Sequence, residues 1–160
     1  MTPDPRQLRQ ALGRFATGVT IISCLDGQGR AVGLTANSFN SLSLDPALVL
    51  WSLRRSSPTL PAFSAAGHFA VNVLSEAQVD LSRHFAGQPD DRFSEGVWSA
   101  GLEGLPVLAG SAALFECAKV SQQEVGDHVL FIGRVLNFAE APVPPLVFQA
   151  GHYRMLGEVL

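Results

Sequence analysis

The sequence is poor in the residues that would announce a metal, a nucleic acid or a membrane. It has two cysteines, Cys24 and Cys117, each inside an apolar stretch and neither in a metal-ligand spacing. Isolated thiols of this kind read as buried and free rather than as a disulfide. The four histidines, His68, His84, His128 and His152, are as scattered, and a structural zinc site is not expected. Charged residues make up only 16% of the chain, and a formal net charge of -3 leaves no basic surface for phosphate backbones or anionic lipid. Neither a nucleic-acid nor a membrane partner is therefore expected. No apolar run reaches the roughly 18 residues of a membrane helix, and Met1-Thr2-Pro3-Asp4-Pro5 lacks the basic-then-apolar pattern of an export signal, so the expected location is cytoplasmic. Also missing are a Gly-x-Ser-x-Gly elbow, a Walker-type loop, paired carboxylates in a polar motif, and Gly-x-Gly-x-x-Gly. A serine hydrolase, a P-loop enzyme and a Rossmann dinucleotide site are excluded together.

What the chain does have is apolar mass, 47% hydrophobic residues in 160. That is enough for the core of one globular domain spanning residues 1–160. With so little charge to cover a surface, part of the apolar excess is expected in a subunit interface.

Asp4 can cap a helix with Pro5 in its first turn, and Leu8, Leu12 and Phe15 recur at helical spacing until Gly18. Residues 19–25 and 31–35, separated by Asp26-Gly27-Gln28-Gly29, read as a hairpin. Residues 48–53 form a nearly continuous apolar run, the pattern of a strand buried on both faces. Ser57 can cap and Pro58 can start a helix running to Gly67, and a further strand is expected over 69–74. Ser75-Glu76-Ala77-Gln78 resembles a capping box and opens a helix to about Phe85. Residues 87–110 read as a long loop, the kind of connection that is usually functional. Residues 112–125 and 129–139 form two long strands meeting at Gly126-Asp127, and 146–148 a last short one. Hairpins with only short helices point to a mostly β protein, closed into a barrel so that no edges stay exposed.

The polar group that stands out is Gly33-Leu34-Thr35-Ala36-Asn37-Ser38-Phe39, where a strand turns polar without gaining a charge. Its hydroxyl and amide groups can donate and accept, and small Ala36 and Ser38 would let a flat ligand reach the main chain. An ordinary turn bonding its own backbone has the same composition.

This stretch, with Ser41-Leu42-Ser43-Leu44-Asp45-Pro46-Ala47-Leu48-Val49 after it, resembles the flavin-binding signature of the flavin reductase-like family. These are short-chain NAD(P)H:flavin oxidoreductases serving two-component monooxygenases. The resemblance recurs in order along nearly the whole chain: Gly18-Val19-Thr20-Ile21-Ile22, Arg55-Ser56-Ser57-Pro58-Thr59-Leu60, Phe69-Ala70-Val71-Asn72-Val73-Leu74, Leu81-Ser82-Arg83-His84-Phe85-Ala86-Gly87, Gly126-Asp127-His128 and Gly151-His152-Tyr153-Arg154. It implies a split β-barrel, FMN-binding fold with short flanking helices, as one flavin reductase-like domain over 1–160. It further implies a homodimer with flavin near the subunit interface, FMN or FAD as flavin, NADH or NADPH as co-substrate, and a separate monooxygenase that takes the reduced flavin.

Residue by residue, the resemblance assigns Thr35, Ala36, Asn37 and Ser38 to the flavin ring and ribityl chain. Ser52, Ser56, Ser57 and Thr59 go to the flavin and its phosphate, where the alternative is simple helix capping. Arg83 is assigned to a flavin phosphate, Phe85 to covering the cofactor or stapling the loop, and His128 to the nicotinamide nucleotide. Tyr153 would contact a flavin of the neighbouring subunit or lie on the surface. No catalytic side chain and no metal ligand is expected, because hydride transfer is the cofactors' own chemistry. Two alternatives stay open at this point, a flavin-binding split barrel without enzymatic activity and a flavin-mediated ferric reductase.

Overall fold

A computed structural model describes residues 1–87 and 91–160. Helix α1 (Pro5–Leu12) is followed by strands β1 (Thr17–Gly18), β2 (Thr20–Leu25), β3 (Ala31–Ala36), β4 (Asn40–Leu44) and β5 (Ala47–Arg54). Then come α2 (Leu60–Ala65), β6 (His68–Val73), α3 (Val79–Ala86), and the short strands β7 (Trp98–Ala100) and β8 (Pro106–Leu108). The long strands β9 (Ala113–Val125) and β10 (His128–Glu140) precede β11 (Val147–Gln149) and β12 (His152–Arg154).

Seven strands form one antiparallel sheet in the order β3-β2-β6-β9-β10-β5-β4. The strands at its two ends are consecutive in the chain, joined only by residues 37–39. Laid flat, six strand spacings would hold β3 and β4 about 29 Å apart. Four Cα steps from Ala36 to Asn40 reach at most about 14 Å. The sheet must therefore curl until its ends meet, and that closure is a barrel.

The barrel's core is aromatic. Trp51 stacks on Phe131 at 4.7 Å and meets Phe63 edge-on at 4.9 Å. Ile22, Val49, Phe69 and Val71 close around them, with the two free thiols, Cys24 and Cys117, in the same cluster. Burial pushes both thiols up to about 12. A second core lies to one side, where Phe85 and Phe93 pack edge to face at 5.1 Å and Trp98 at 4.7 Å from Phe93. Gly33 makes this possible: a Cβ there would lie 3.1 Å from the Phe93 ring and 3.2 Å from Phe85. Asn72, fully buried, ties the β7–β8 hairpin to the barrel, accepting from the Leu108 N–H at 3.0 Å and donating to the Ile21 carbonyl at 2.9 Å.

Both expected hairpins form, the second turning at Gly126 with a φ of 59° that only glycine adopts freely. The Ser75–Gln78 capping box closes as expected, leading through a 3-10 turn into α3. Other expectations need correction. Asp4 does cap α1, but the helix stops at Gly13 and buries none of its residues; Phe15 is 78% exposed. Strand β5 is not buried on both faces: Val49, Trp51 and Leu53 face the core, while Leu48, Leu50 and Ser52 between them are half-buried. Helix α2 begins at Leu60 rather than Pro58, because the Ser57 hydroxyl bonds Thr59 and holds a turn there. The 87–110 span contains the β7–β8 hairpin, with residues 88–90 outside the described ones. Strands β4 and β12 had no sequence expectation at all.

Candidate functional site

The closure of the barrel builds the site. Ser38 donates its hydroxyl to the Ser52 carbonyl at 2.9 Å and accepts the Ser52 N–H at 3.0 Å. One side chain thereby fastens the 37–39 link to β5. Beside it opens a cavity of about 600 Å³, within the range of small-molecule sites.

The cavity brings together most of the residues expected from the sequence: Thr35, Ala36, Asn37 and Ser38 from the link, Ser52 from β5, Ser56, Ser57 and Thr59 from the turn before α2, Phe85 from α3, and His128 from β10. Their capacities differ. Thr35 spends its hydroxyl hydrogen on the Ser82 carbonyl at 2.7 Å, so toward the cavity it can only accept. The Ser38 hydroxyl is committed to β5, whereas the exposed Asn37 amide has no hydrogen-bond partner among the described residues and can both donate and accept. Phe85 is 1% exposed and serves as a wall.

His128 leaves the Gly126 turn with its Nδ1 2.7 Å from the Asp127 carboxylate. That hydrogen bond is the main reason the Asp127 carboxyl is held below the usual range. With Nδ1 so engaged, Nε2 is the nitrogen left for a ligand.

Two expected residues lie elsewhere. Arg83 pairs with Asp80 at 3.2 Å and its guanidinium sits 5.3 Å from the Tyr153 ring centroid, on the outer side of α3. Tyr153 is 2.7 Å from the Ser82 hydroxyl and packs on Phe148. Since Ser82 also receives the Thr35 bond, Tyr153 supports the cavity wall from behind.

Two arginines that sequence reasoning missed line the cavity, Arg54 at the end of β5 and Arg92. Arg92 donates to the Gly33 carbonyl at 2.6 Å and the Gly87 carbonyl at 2.7 Å, spanning the signature strand and the exit of α3. Its partial burial draws its pKa down from the ordinary value. The signal that could have found it was a cation beside Phe93 in a loop just after the Arg83 motif. Among the described residues no carboxylate lines the cavity. Neutral donors and acceptors with two guanidinium groups and no acid suit a planar polar ring carrying a phosphate. No cluster of His, Cys, Asp or Glu able to hold a metal occurs among the described residues, and no helix described is long and apolar enough to cross a membrane.

Comparison with known proteins agrees with this geometry. The chain is 47% identical over 150 residues to a probable flavin reductase of Rhizobium meliloti, covering 94% of this chain and 48% of that protein. It thus spans about half the length of that relative. It is 44% identical to the FMN reductase (NADH) SmoA of Agrobacterium fabrum, covering 94% and 85%. It is 43% identical to the reductase component of the flavin-dependent trigonelline monooxygenase of Acinetobacter baylyi, covering 92% and 48%. Among solved structures, the NADH:FAD oxidoreductase SgcE6 of Streptomyces globisporus superimposes with a TM-score of 0.91 at 36% identity, covering 100% of this chain and 99% of that one. The barrel is the split barrel of such flavin reductases. With the family's sequence model matching residues 12–157, the chain belongs to the flavin reductase like domain family.

Proposed function

We propose that this chain uses NADH or NADPH to reduce FMN or FAD, and that the reduced flavin passes to a separate monooxygenase. The observation that carries the reading is the lining of the 600 Å³ cavity, neutral hydrogen-bonding groups and arginines with no carboxylate among the described residues. The names of the relatives support the same direction, one of them a reductase component of a monooxygenase.

In this reading Asn37 and Thr35 meet the polar edge of the flavin ring, and Ala36 leaves room for the ring against the main chain. Ser52, Ser56, Ser57 and Thr59, with Arg54 near them, take the ribityl chain and phosphate. His128 positions the nicotinamide nucleotide through Nε2. Hydride passes directly from nicotinamide to flavin when both are bound, so the protein's part is placement within near-attack distance. In this reading no side chain has to give up or accept a proton.

We further propose a cytoplasmic homodimer. The face of the barrel opposite Trp51 and Phe131 carries Leu50 paired with Ile132, beside Leu48 and Leu130, all half-buried in the single chain. A second copy would cover this apolar face. Light scattering should give twice the 17.0 kDa chain mass.

The activity test is anaerobic stopped-flow mixing of protein and oxidised flavin with each pyridine nucleotide. Rapid bleaching of the flavin absorbance is expected with at least one nucleotide. Bound flavin that neither nucleotide bleaches would overturn the enzymatic reading.

A further inference from the structure

Arg92 reaches the cavity wall as a cation that the described chain leaves without a counter-charge. Its Nη1 and Nη2 donate to the Gly33 and Gly87 carbonyls at 2.6 and 2.7 Å, and among the described residues no carboxylate pairs with it. Carbonyls orient a guanidinium without neutralising it, and two bonds leave the rest of its five N–H donors for a ligand. Its partial burial, which draws its pKa down, makes the bare charge costly to keep. Arg54, the other arginine of the lining, differs on each count. It is exposed at the end of β5, where water screens it, and its charge adds to the larger effect of the His128 hydrogen bond in holding the Asp127 carboxyl low. Position separates the two as well. Arg54 stands beside the 56–59 turn, whereas the carbonyl that fixes Arg92 lies two residues from Thr35 on β3, one strand repeat of about 7 Å.

We infer that Arg92 gives the cavity a preference for reduced over oxidised flavin, by meeting the negative charge that the ring carries once reduced. The inference rests on the flavin-reductase reading and deepens it. A hydride brings two electrons and one proton, so its acceptor gains one negative charge, and reduced flavin is largely anionic near neutrality. A guanidinium already held by two main-chain carbonyls needs no reorganisation when that charge arises, and a partly desolvated one attracts it more strongly than an exposed one does. The same group gains little from the neutral oxidised ring. Its effect is therefore a difference between redox states, which sets it apart from a cation that holds the phosphate in both.

Oxidised and dithionite-reduced FMN and riboflavin are titrated anaerobically into wild type, Arg92→Gln and Arg92→Lys, and each protein's melting temperature is recorded. Wild type should bind both reduced flavins more tightly than their oxidised forms. In Arg92→Gln the reduced forms should weaken about tenfold or more and the oxidised ones less than about threefold, while Arg92→Lys, which keeps the charge without the fork, should recover part of the preference. Riboflavin has no phosphate, so its response reads the ring alone. Wild type without a preference for the reduced forms would overturn the inference, and that measurement needs no variant to fold. FMN weakening in both redox states with riboflavin unchanged would overturn it too, by placing Arg92 on the phosphate. So would equal weakening of every form with a lowered melting temperature, which would make Arg92 only a clamp between Gly33 and Gly87. A preference that Arg92→Gln abolishes, in a wild type whose bound flavin neither NADH nor NADPH bleaches, would instead sink the proposed activity and leave Arg92 as the source of redox-selective binding.

Discussion

The two aromatic cores of this barrel do different work. The Trp51 core lies inside the barrel with Phe63 of α2 as its helical aromatic, and its strand members alternate along β5 and β10 in register, Trp51 opposite Phe131 and Leu53 opposite Val129. The Phe85 core is assembled from a helix, a loop and a short hairpin, and it lies under the glycine that begins the site's signature strand. Packing in the first decides whether the chain folds. Packing in the second decides where Thr35 and Arg92 stand, since both reach from this layer into the cavity.

The comparison can be broken from either side. The largest effect is expected at Trp51→Ala, which should cost about 3–5 kcal/mol by emptying the middle of the first core. Urea denaturation would measure it, and a loss under 1 kcal/mol would mean the core is less tightly packed than its ring contacts indicate. Gly33→Ala comes next, at about 1–3 kcal/mol of overpacking against Phe85 and Phe93. Its flavin affinity should drop by more than its stability does; equal affinity in the variant would detach the second core from the site.

At the cavity itself, His128→Ala should lower NADH efficiency roughly ten- to a hundredfold, the worth of one hydrogen bond to a charged group, with flavin affinity nearly kept. Asn37→Asp should weaken reduced flavin, largely anionic near neutrality, more than oxidised flavin, because a carboxylate would enter a lining that has none among the described residues. Anaerobic titration of both redox forms decides this, and equal losses would move Asn37 away from the ring.

The smallest effect concerns pH. Asp127 is held below its ordinary value by His128, so its contribution to folding is present above the unfolded value near 3.8 and fades as pH falls through the depressed one. Asp127→Asn should therefore change thermal stability slightly at pH 6 and not at all in strong acid. A difference that grows toward acid would reverse the assignment.

Most of the barrel was legible because its strands announce themselves by β-branched runs between turn residues, as at 19–25 and around Gly126-Asp127. Strand β4 was not, since Asn40-Ser41-Leu42-Ser43-Leu44 is a polar edge that, among the described residues, pairs with β5 alone. The opening helix was legible in its cap but not in its packing: Leu8, Leu12 and Phe15 follow helical spacing without any core beneath them. The site was read largely from resemblance, and the structure gathers those residues around one cavity except Arg83 and Tyr153. Sequence could not choose between Arg83 and Arg92, because the choice depends on the Gly33 carbonyl, 59 positions from Arg92.

The 37–39 link that joins the two ends of the sheet also carries Asn37 and Ser38. Until β3 and β4 are brought together, the two walls that a flavin would bridge belong to opposite margins of an open ribbon. In the proposed reading a bound flavin is a clasp across that seam, raising the free energy of reopening by RT ln(1 + c/Kd), where c is the flavin concentration, so that the barrel's stability rises with the logarithm of c above Kd.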